Sequence, residues 1–224
     1  MKFSNETISV LKNFASINSG ILFKEGNVIS TVSPQKNILA DANIQETIPK
    51  QFGVYNLNEF LSVLSLFKGA GSLAFSEHHV LISSEDGRTK IKYKFASPSM
   101  IVVAPDKRPT LPTVDVSFDL SSEDFDLIMK TASVLGSPNV GIISDGSSVF
   151  LSTFSVNDDS AHENLTELSI ESTGNYRLVF KTENMKMLPG DYLVEISSKG
   201  IAKFSGKTTD VVYFVTLEVS SQYN

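Results

Sequence analysis

The chain has 224 residues, 41% of them hydrophobic, no cysteine and a formal net charge of −6. This length can hold two ordinary domains with separate cores, while the lack of cysteine excludes disulfide bonds and thiolate metal sites. The negative charge argues against non-specific wrapping of nucleic acid, although a basic surface inside an acidic assembly remains compatible with it. Residues 1–6 lack a signal-peptide pattern and no apolar run has the length of a membrane span, so we expect a soluble cytoplasmic protein.

Turn signals recur along the chain at two fixed distances. Gly26 and Gly146 lie 120 residues apart, and Gly69 and Gly190 lie 121 apart. A helix-like stretch precedes each turn and an alternating, strand-like stretch follows it. One module made four times predicts a symmetric architecture.

Four helices are predicted, each with a narrow polar face of small residues and a lysine. The first begins at Ser4 or Asn5, and the second runs from about Leu57 to Phe67. The third follows Ser121 and is expected to bury Phe125, Ile128, Met129, Ala132 and Leu135. The fourth is a short helix from Glu183 to Leu188 after a Thr182 cap.

Alternating runs predict strands around these helices. They include residues 88–95, residues 166–172 and residues 211–219, the last with Tyr213, Val215, Leu217 and Val219 on one face. The fold class is therefore α+β, with antiparallel sheets that are each covered on one face by a pair of helices.

A proline-rich stretch divides the chain. Residues 98–112 hold four of the eight prolines, which predicts an extended connector between an N-terminal domain, 1–97, and a C-terminal domain, 113–224. The connector also contains Val102, Val103 and Leu111, so we expect it to lie along the surface and to help form a groove.

Residues with catalytic potential do not form a recognisable set. His78 and His79 are adjacent on a predicted strand and point to opposite faces, and His162 lies in an acidic loop. The pair Asp158–Asp159 is more typical of a surface turn than of a cation site, and residues 69–71 lack the lysine and serine of a phosphate loop. We predict a binding protein, not an enzyme, with no metal or cofactor.

Five groups of segments carry a specific resemblance to a known family. They are residues 11–21, residues 54–61 with 64–66, residues 102–105, residues 184–192 and residues 202–206. In residues and in order they resemble the sliding clamps of T-even-type bacteriophages. The similarity extends from residue 2 to about residue 219, while the third helix and residues 140–180 match less closely.

The resemblance implies the DNA-clamp fold, in which two similar domains each have antiparallel sheets and two helices facing a central hole. Three chains would form a homotrimeric ring around double-stranded DNA, held topologically and without sequence preference. The ring would tether the viral DNA polymerase for processive replication. An ATP-dependent clamp loader and late transcription factors are implied as further partners, in the cytoplasm of the infected bacterial host.

Lysines on the helix faces are the candidate DNA contacts, because phosphate contacts supply attraction without reading sequence. The candidates are Lys12, Lys68, Lys130, Lys181 and Lys186, with Lys2 as a further one. Each could instead be an ordinary solvated lysine; the resemblance favours Lys12, Lys130 and Lys186 for the hole.

Two runs of opposite charge are the candidate subunit interface. One carries Arg88, Lys90, Lys92 and Lys94, and the other carries Glu167 and Glu171. Edge strands pair readily with other chains, and opposite charges would fix partner and register. The alternative is that both runs are solvated faces of internal strands.

The connector supplies the candidate partner site, a groove between the connector and the C-terminal domain for short hydrophobic tails. Its residues are Val102, Val103, Pro105, Leu111 and Pro112. The alternative is that these side chains only seal the domain junction. For the chain as a whole, two other classes remain open: a phage structural protein built from repeated β modules, and an enzyme with a duplicated α+β domain.

Overall fold

In a computed structural model, the chain forms two compact units, Met1–Asp106 and Lys107–Asn224. The structure describes residues 1–67, 71–172 and 174–223. The predicted connector, 98–112, straddles the division between the units.

The first unit contains two α-helices and seven strands among its described residues. They are α1 (Asn5–Ile17), β1 (Ile21–Phe23), β2 (Gly26–Val32), β3 (Ile38–Ile48), β4 (Phe52–Val54), α2 (Leu57–Ser65), β5 (Ser72–Phe75), β6 (His79–Ser83) and β7 (Lys90–Lys94). Strand β1 pairs with β4, β2 pairs with β3, and β5, β6 and β7 form a three-stranded sheet with β7 at one end. All of these pairs are antiparallel.

The second unit contains one α-helix and nine strands within the part of the chain that the structure describes. They are β8 (Val116–Leu120), α3 (Ser122–Leu135), β9 (Asn139–Asp145), β10 (Val149–Phe154), β11 (Asn164–Leu168), β12 (Asn175–Lys181), β13 (Tyr192–Ser197), β14 (Ile201–Gly206), β15 (Val211–Thr216) and the two-residue β16 (Gln222–Tyr223), where β8 precedes the helix and the other strands follow it. One antiparallel sheet has the order β11-β10-β9-β12-β16; in the other, β8, β13, β14 and β15 are successive neighbours. The predicted α+β class with antiparallel sheets is confirmed.

Helix α1 begins at a cap that joins it to strand β3. The Ser4 hydroxyl accepts a hydrogen bond from the Thr7 amide at 3.1 Å, and the Glu46 carboxylate accepts from the Thr7 hydroxyl at 2.6 Å and from the Ser4 amide. Partial burial opposes ionisation of Glu46, but these hydrogen bonds outweigh it and lower the pKa of its carboxyl. A carboxylate here also complements the positive end of the helix dipole.

We expect Glu46→Gln to lower the free energy of unfolding by about 1 kcal/mol at pH 7, because it weakens charge-assisted hydrogen bonds. A carboxyl with a lowered folded-state pKa stabilises above its unfolded pKa of about 4.3 and loses that contribution as pH falls through the folded value. The difference from the parent should therefore shrink below about pH 4. Urea unfolding at pH 7 and pH 3.5 measures it, with exposed Glu25→Gln as the matched control; equal stability of the two variants at pH 7 would contradict this role.

Helix α3 departs in part from its predicted buried stripe. Phe125, Ile128 and Ala132 are buried, but Met129 is half-buried and Leu135 is 37% exposed. The helix ends at Gly136 in the left-handed conformation, and the Ser137 amide bonds back to the Ala132 carbonyl at 2.8 Å. Because the chain turns at Gly136, the last helical residue, Leu135, lies at the edge of the buried face of α3 and stays partly exposed.

The predicted fourth helix is wrong. Residues Thr182–Asn184 form a single 3-10 turn, and no α-helix follows in the described part of the chain. The carbonyl of Leu188 accepts a hydrogen bond from the Tyr192 hydroxyl at 2.5 Å, and its amide donates to the Tyr213 hydroxyl at 3.1 Å. These tertiary bonds, with Pro189 next in the chain, prevail over a segment too short to nucleate a helix.

The last predicted strand is also too long. Strand β15 ends at Thr216, and Val219, placed by the sequence on the buried face, is fully exposed. Tyr213 and Val215 are buried as expected. Within the described residues, no helix has the length and apolar character needed to cross a bilayer.

Candidate nucleic-acid and subunit interfaces

Two of the candidate DNA lysines lie on exposed helix faces. Lys12 is exposed on α1, in line with Ser9 and Ser16. Lys130 is exposed on α3. Neither amine forms an ion pair with another described residue, so both charges are available to an external anion.

The other lysine candidates have different settings. Lys181 ends strand β12, and Lys186 is exposed between the buried Met185 and Met187 in the irregular segment after the 3-10 turn. Lys2 pairs with Glu85 at 3.1 Å. The prediction for Lys68 lies outside the described residues.

The exposed face of α3 is more apolar than predicted. Lys130 lies between Leu127, 50% exposed, and Val134, 84% exposed, at the spacing that puts all three on one side of a helix. On α2 the small polar residues Asn58, Ser62 and Ser65 are exposed as predicted, but Leu66 at the helix end is also 72% exposed. These exposed apolar residues were not predicted from the sequence, although the spacing of Leu127 and Val134 from Lys130 could have indicated the two on α3.

Strand β7 presents a row of positive charge at the end of its sheet. Lys90, Lys92 and Lys94 are exposed, while Ile91 and Tyr93 turn to the opposite face. There the Tyr93 ring meets Phe60 of α2 at 5.0 Å, and burial raises the pKa of the Tyr93 hydroxyl to about 12.

The positive charge of strand β7 acts on the neighbouring strand, and Arg88 adds to it from the preceding turn. His79 lies opposite Lys94 in the ladder, and partial desolvation together with the Lys92 charge lowers the pKa of its imidazole. Arg88 is exposed in the preceding turn, where its amide donates to the Asp86 carboxylate at 3.1 Å. This end of the sheet is therefore cationic.

Strand β11 presents the opposite charge at the end of the second unit's five-stranded sheet. Glu167 is exposed and accepts a hydrogen bond from the Ser148 hydroxyl at 2.7 Å, and Leu165 on the same face is 59% exposed. Leu168 is buried on the other face. Glu171 lies just beyond the strand and is exposed. The strand predicted over residues 166–172 is too long at its end, because β11 stops at Leu168. The strand residues of both predicted runs belong to terminal strands of their sheets, not to internal ones, while Arg88 and Glu171 lie outside the strands.

The first part of the connector is fastened to the first unit. The buried Asn18 amide donates to the carbonyls of Val102 and Val32, each at 3.0 Å, and Lys24 forms an ion pair with Asp106. A recess of only about 10 Å³ lies between residues 102–104 and strands β1 and β2. Its lining includes Val28 and Val103.

The remaining partner-site candidates are spread along the connector. Val102 is 43% exposed, Val103 and Leu111 are half-buried, and Pro105 and Pro112 are exposed. The groove predicted between the connector and the C-terminal domain stays a prediction.

Asp158, one of the groups considered for a cation site, has a structural role. The Asp158 carboxylate accepts hydrogen bonds from the Ser160 amide at 2.9 Å and hydroxyl at 2.6 Å, which lower its pKa and close a surface turn. The described residues contain no cluster of three or more His, Asp or Glu side chains placed to hold a metal ion.

The fold is that of the clamps of the proliferating cellular nuclear antigen type. The chain matches the proliferating cellular nuclear antigen from Entamoeba histolytica with a TM-score of 0.70 and 17% identity, over 95% of both chains. It matches the antigen from Thermococcus kodakaraensis with a TM-score of 0.69 and 13% identity, over 95% of this chain and 96% of the other. At these identities the likeness shows the fold alone.

Sequence comparison identifies the family. Residues 4–103 match the DNA polymerase processivity factor family and residues 117–219 the C-terminal family of the gp45 sliding clamp. The chain is 33% identical to the sliding clamp of Vibrio phage KVP40 over 97% of this chain and 99% of that one. It is 32% identical to the sliding clamp of Enterobacteria phage T4 over the whole of both.

The chain therefore belongs to the bacteriophage sliding clamps, the processivity factors of phage DNA polymerases. This confirms the resemblance on which the sequence analysis depended. Because the family consists of non-enzymatic processivity factors, the chain is not an enzyme, and the two alternative classes considered from the sequence are wrong.

Proposed function

We propose that three copies of this chain close into a ring around duplex DNA and hold the viral DNA polymerase on its template. A clamp loader driven by ATP would open the ring, and late transcription factors would use the same ring, in the cytoplasm of the infected host. The observation that carries this proposal is the pair of oppositely charged terminal strands, β7 in the first unit and β11 in the second. Pairing of β7 with β11 of the next copy uses both edges and repeats around a closed ring.

The pleat of the strands determines which residues can meet. Residues directly opposite each other share a face of the sheet, so the exposed lysines of β7 must oppose the exposed side of β11, which carries Leu165 and Glu167. In an antiparallel pairing, either Lys92 or Lys94 can lie opposite Glu167. The first register turns Arg88, and the second turns Lys90, towards Glu171 beyond the end of β11. Either register therefore gives one pair of opposite charge within the strands and a further attraction next to them.

The same pairing would bring two helices together on the other face. Helix α2 lies behind β7, through Phe60 and Tyr93, and α3 packs against β9 and β10, in the sheet that ends at β11. The exposed Leu66 of one copy would meet Leu127 and Val134 of the next. Burial of these side chains supplies an apolar contribution that the charged strands alone lack, and it explains why α3 is apolar around Lys130.

The test of this function is the state of the chain in solution and on DNA. A mass three times that of the 24.4 kDa chain is expected, together with loader-dependent retention on circular duplex DNA and release when the circle is cut. Topological linkage predicts that difference, whereas ordinary affinity does not. A monomer or dimer at all concentrations, or equal retention on cut and closed DNA, would refute the proposal.

Replacing Lys12, Lys130 and Lys186 by alanine should weaken loading and DNA binding without unfolding the chain. Exposed substitutions of this kind stay within about 0.5 kcal/mol of the parent stability. The slope of log affinity against log salt should become shallower by about 0.9 for each phosphate left without its lysine. The matched control is Lys199→Ala, an exposed lysine in the turn between β13 and β14. A triple variant that loads and supports processive synthesis like the parent would show that these three residues are ordinary solvated lysines and not DNA contacts.

A further inference from the structure

The five-stranded sheet of the second unit ends in a very short strand. Strand β16 pairs with β12 through only two residue pairs, Tyr223 with Tyr176 and Gln222 with Arg177. The Tyr223 ring stacks on Tyr176 at 5.7 Å. We call residues 217–223 the cover segment, because they occupy the outer edge of β12.

Hydrogen bonds hold the cover segment at a few points. The Ser221 hydroxyl accepts from the Val179 amide at 2.9 Å, and the Glu218 amide donates to the Val179 carbonyl at 2.8 Å. Between these points Val219 is fully exposed. The Leu217 amide also donates to the Gly200 carbonyl at 3.0 Å, and the Tyr223 hydroxyl donates to the Asp115 carbonyl at 3.4 Å. An edge held by two ladder pairs, one ring contact and these few bonds can open locally at a modest cost in free energy.

An uncovered β12 would match β11 of a second copy. Glu167, Phe150, Ile143, Arg177 and Gln222 lie opposite one another in successive strands and form one row across the sheet. Residues in one row share a face. A second copy that continued the sheet would therefore place its Glu167 in the position of Gln222, next to Arg177.

The rest of that register is also complementary. Successive strands of this sheet are antiparallel, so β11 of the second copy would run antiparallel to β12 as β16 does. With Glu167 opposite Arg177, the exposed Leu165 faces Val179 and the exposed Glu163 faces Lys181. Two pairs of opposite charge flank one apolar pair.

These observations define a competition for β11. Pairing with β7 can close a ring, whereas pairing of β11 with β12 is a head-to-tail contact within one sheet that can repeat from copy to copy as an open chain. We propose that the cover segment blocks the β12 edge and so reserves β11 for β7 of the neighbouring copy. This inference rests on the proposed ring.

The experiment compares the parent with the double variant Ser221→Ala, Tyr223→Ala, by mass photometry and by sedimentation at low and high salt. The double variant removes the hydrogen bond between the Ser221 hydroxyl and the Val179 amide, and the stacking of Tyr223 on Tyr176. At low salt, the mass fraction of species larger than the trimer should rise by about ten-fold. This factor corresponds to the loss of one aromatic pair and one hydrogen bond. High salt should suppress these larger species, because charged strands drive them.

Two additions make the result specific. Lys181→Glu in the double variant reverses one charge on β12 without changing β7 or β11, and should remove the larger species. A synthetic peptide of residues 217–224 should do the same by covering the edge in trans. The control is Val219→Ser, an exposed change within the same segment, which should behave as the parent.

The possible outcomes separate the two proposals. A double variant that keeps the parent's circular dichroism and forms no larger species overturns the inference and leaves the ring intact. Larger species that persist with the peptide or with Lys181→Glu also overturn it, since they would arise from another surface. A parent that is not a trimer refutes the proposed ring instead, and the change in larger species between variant and parent still tests the cover.

Discussion

Replacing Lys90 and Lys92 by glutamate should break the ring into smaller species at low salt and abolish processive synthesis. Each exposed pair of opposite charges contributes about 0.2–1 kcal/mol, and reversal replaces attraction by repulsion at all three interfaces. We therefore expect the dissociation constant of the trimer to rise by about ten- to a hundred-fold. Sedimentation over a range of concentrations measures this shift. Replication on a primed circular template measures its consequence.

The control for this charge reversal makes the same change in net charge at positions outside the proposed interface. Lys36→Glu with Lys199→Glu alters two exposed lysines in turns, outside β7 and β11, and should leave the trimer unaffected. Adding Glu167→Lys to the β7 variant should restore part of the trimer, because opposite signs then meet again. A trimer population equal to that of the parent at low salt would show that β7 is not at the interface.

The two charged edges could be predicted because strand pleat and charge are both local properties of sequence. Lysine at every second residue of 90–94 indicated the correct strand and face, and the terminal position of β11 agreed with its run of acidic residues. Strand β16 was not predictable in this way. Two residues cannot show a period, and their strand conformation depends on Tyr176 and Val179, more than 40 positions earlier.

The predicted helices form where the signals within the segment are complete. The fourth does not form, because contacts with residues distant in sequence determine its conformation. Ser4 and Ser121 cap α1 and α3 as the sequence indicated. Residues 183–188 have a capping threonine and apolar spacing, but the hydroxyls of Tyr192 and Tyr213 draw the backbone of Leu188 out of a helix. Both tyrosines lie outside residues 183–188, so the sequence of the segment alone could not predict these two hydrogen bonds. As a result Lys186 lies on an irregular segment and Lys12 and Lys130 on helices, so they should not contribute equally to DNA binding.

The second large effect concerns the connector. Replacing Val103 and Leu111 by serine should weaken binding of a short hydrophobic tail by about ten-fold or more, because an apolar anchor dominates the affinity of such tails. The resemblance to the phage clamps makes the C-terminal peptide of the viral polymerase the first ligand to test. Both side chains are half-buried, so each can contribute to a pocket wall while staying within reach of a ligand. Fluorescence anisotropy with the labelled peptide measures the change in affinity. Circular dichroism and the trimer mass must match the parent for the comparison to count.

A matched variant distinguishes the two sides of the connector. Val28→Ser changes an exposed valine that lines the small recess between the connector and the first unit. A groove on the C-terminal side predicts that Val28→Ser binds the peptide like the parent, while the Val103 and Leu111 variant does not. Weaker binding in both variants would place the tail against the first unit, because Val103 lines the same recess as Val28, although a recess of about 10 Å³ would first have to widen to admit a side chain. Unchanged binding in both variants would remove the connector from the partner site altogether.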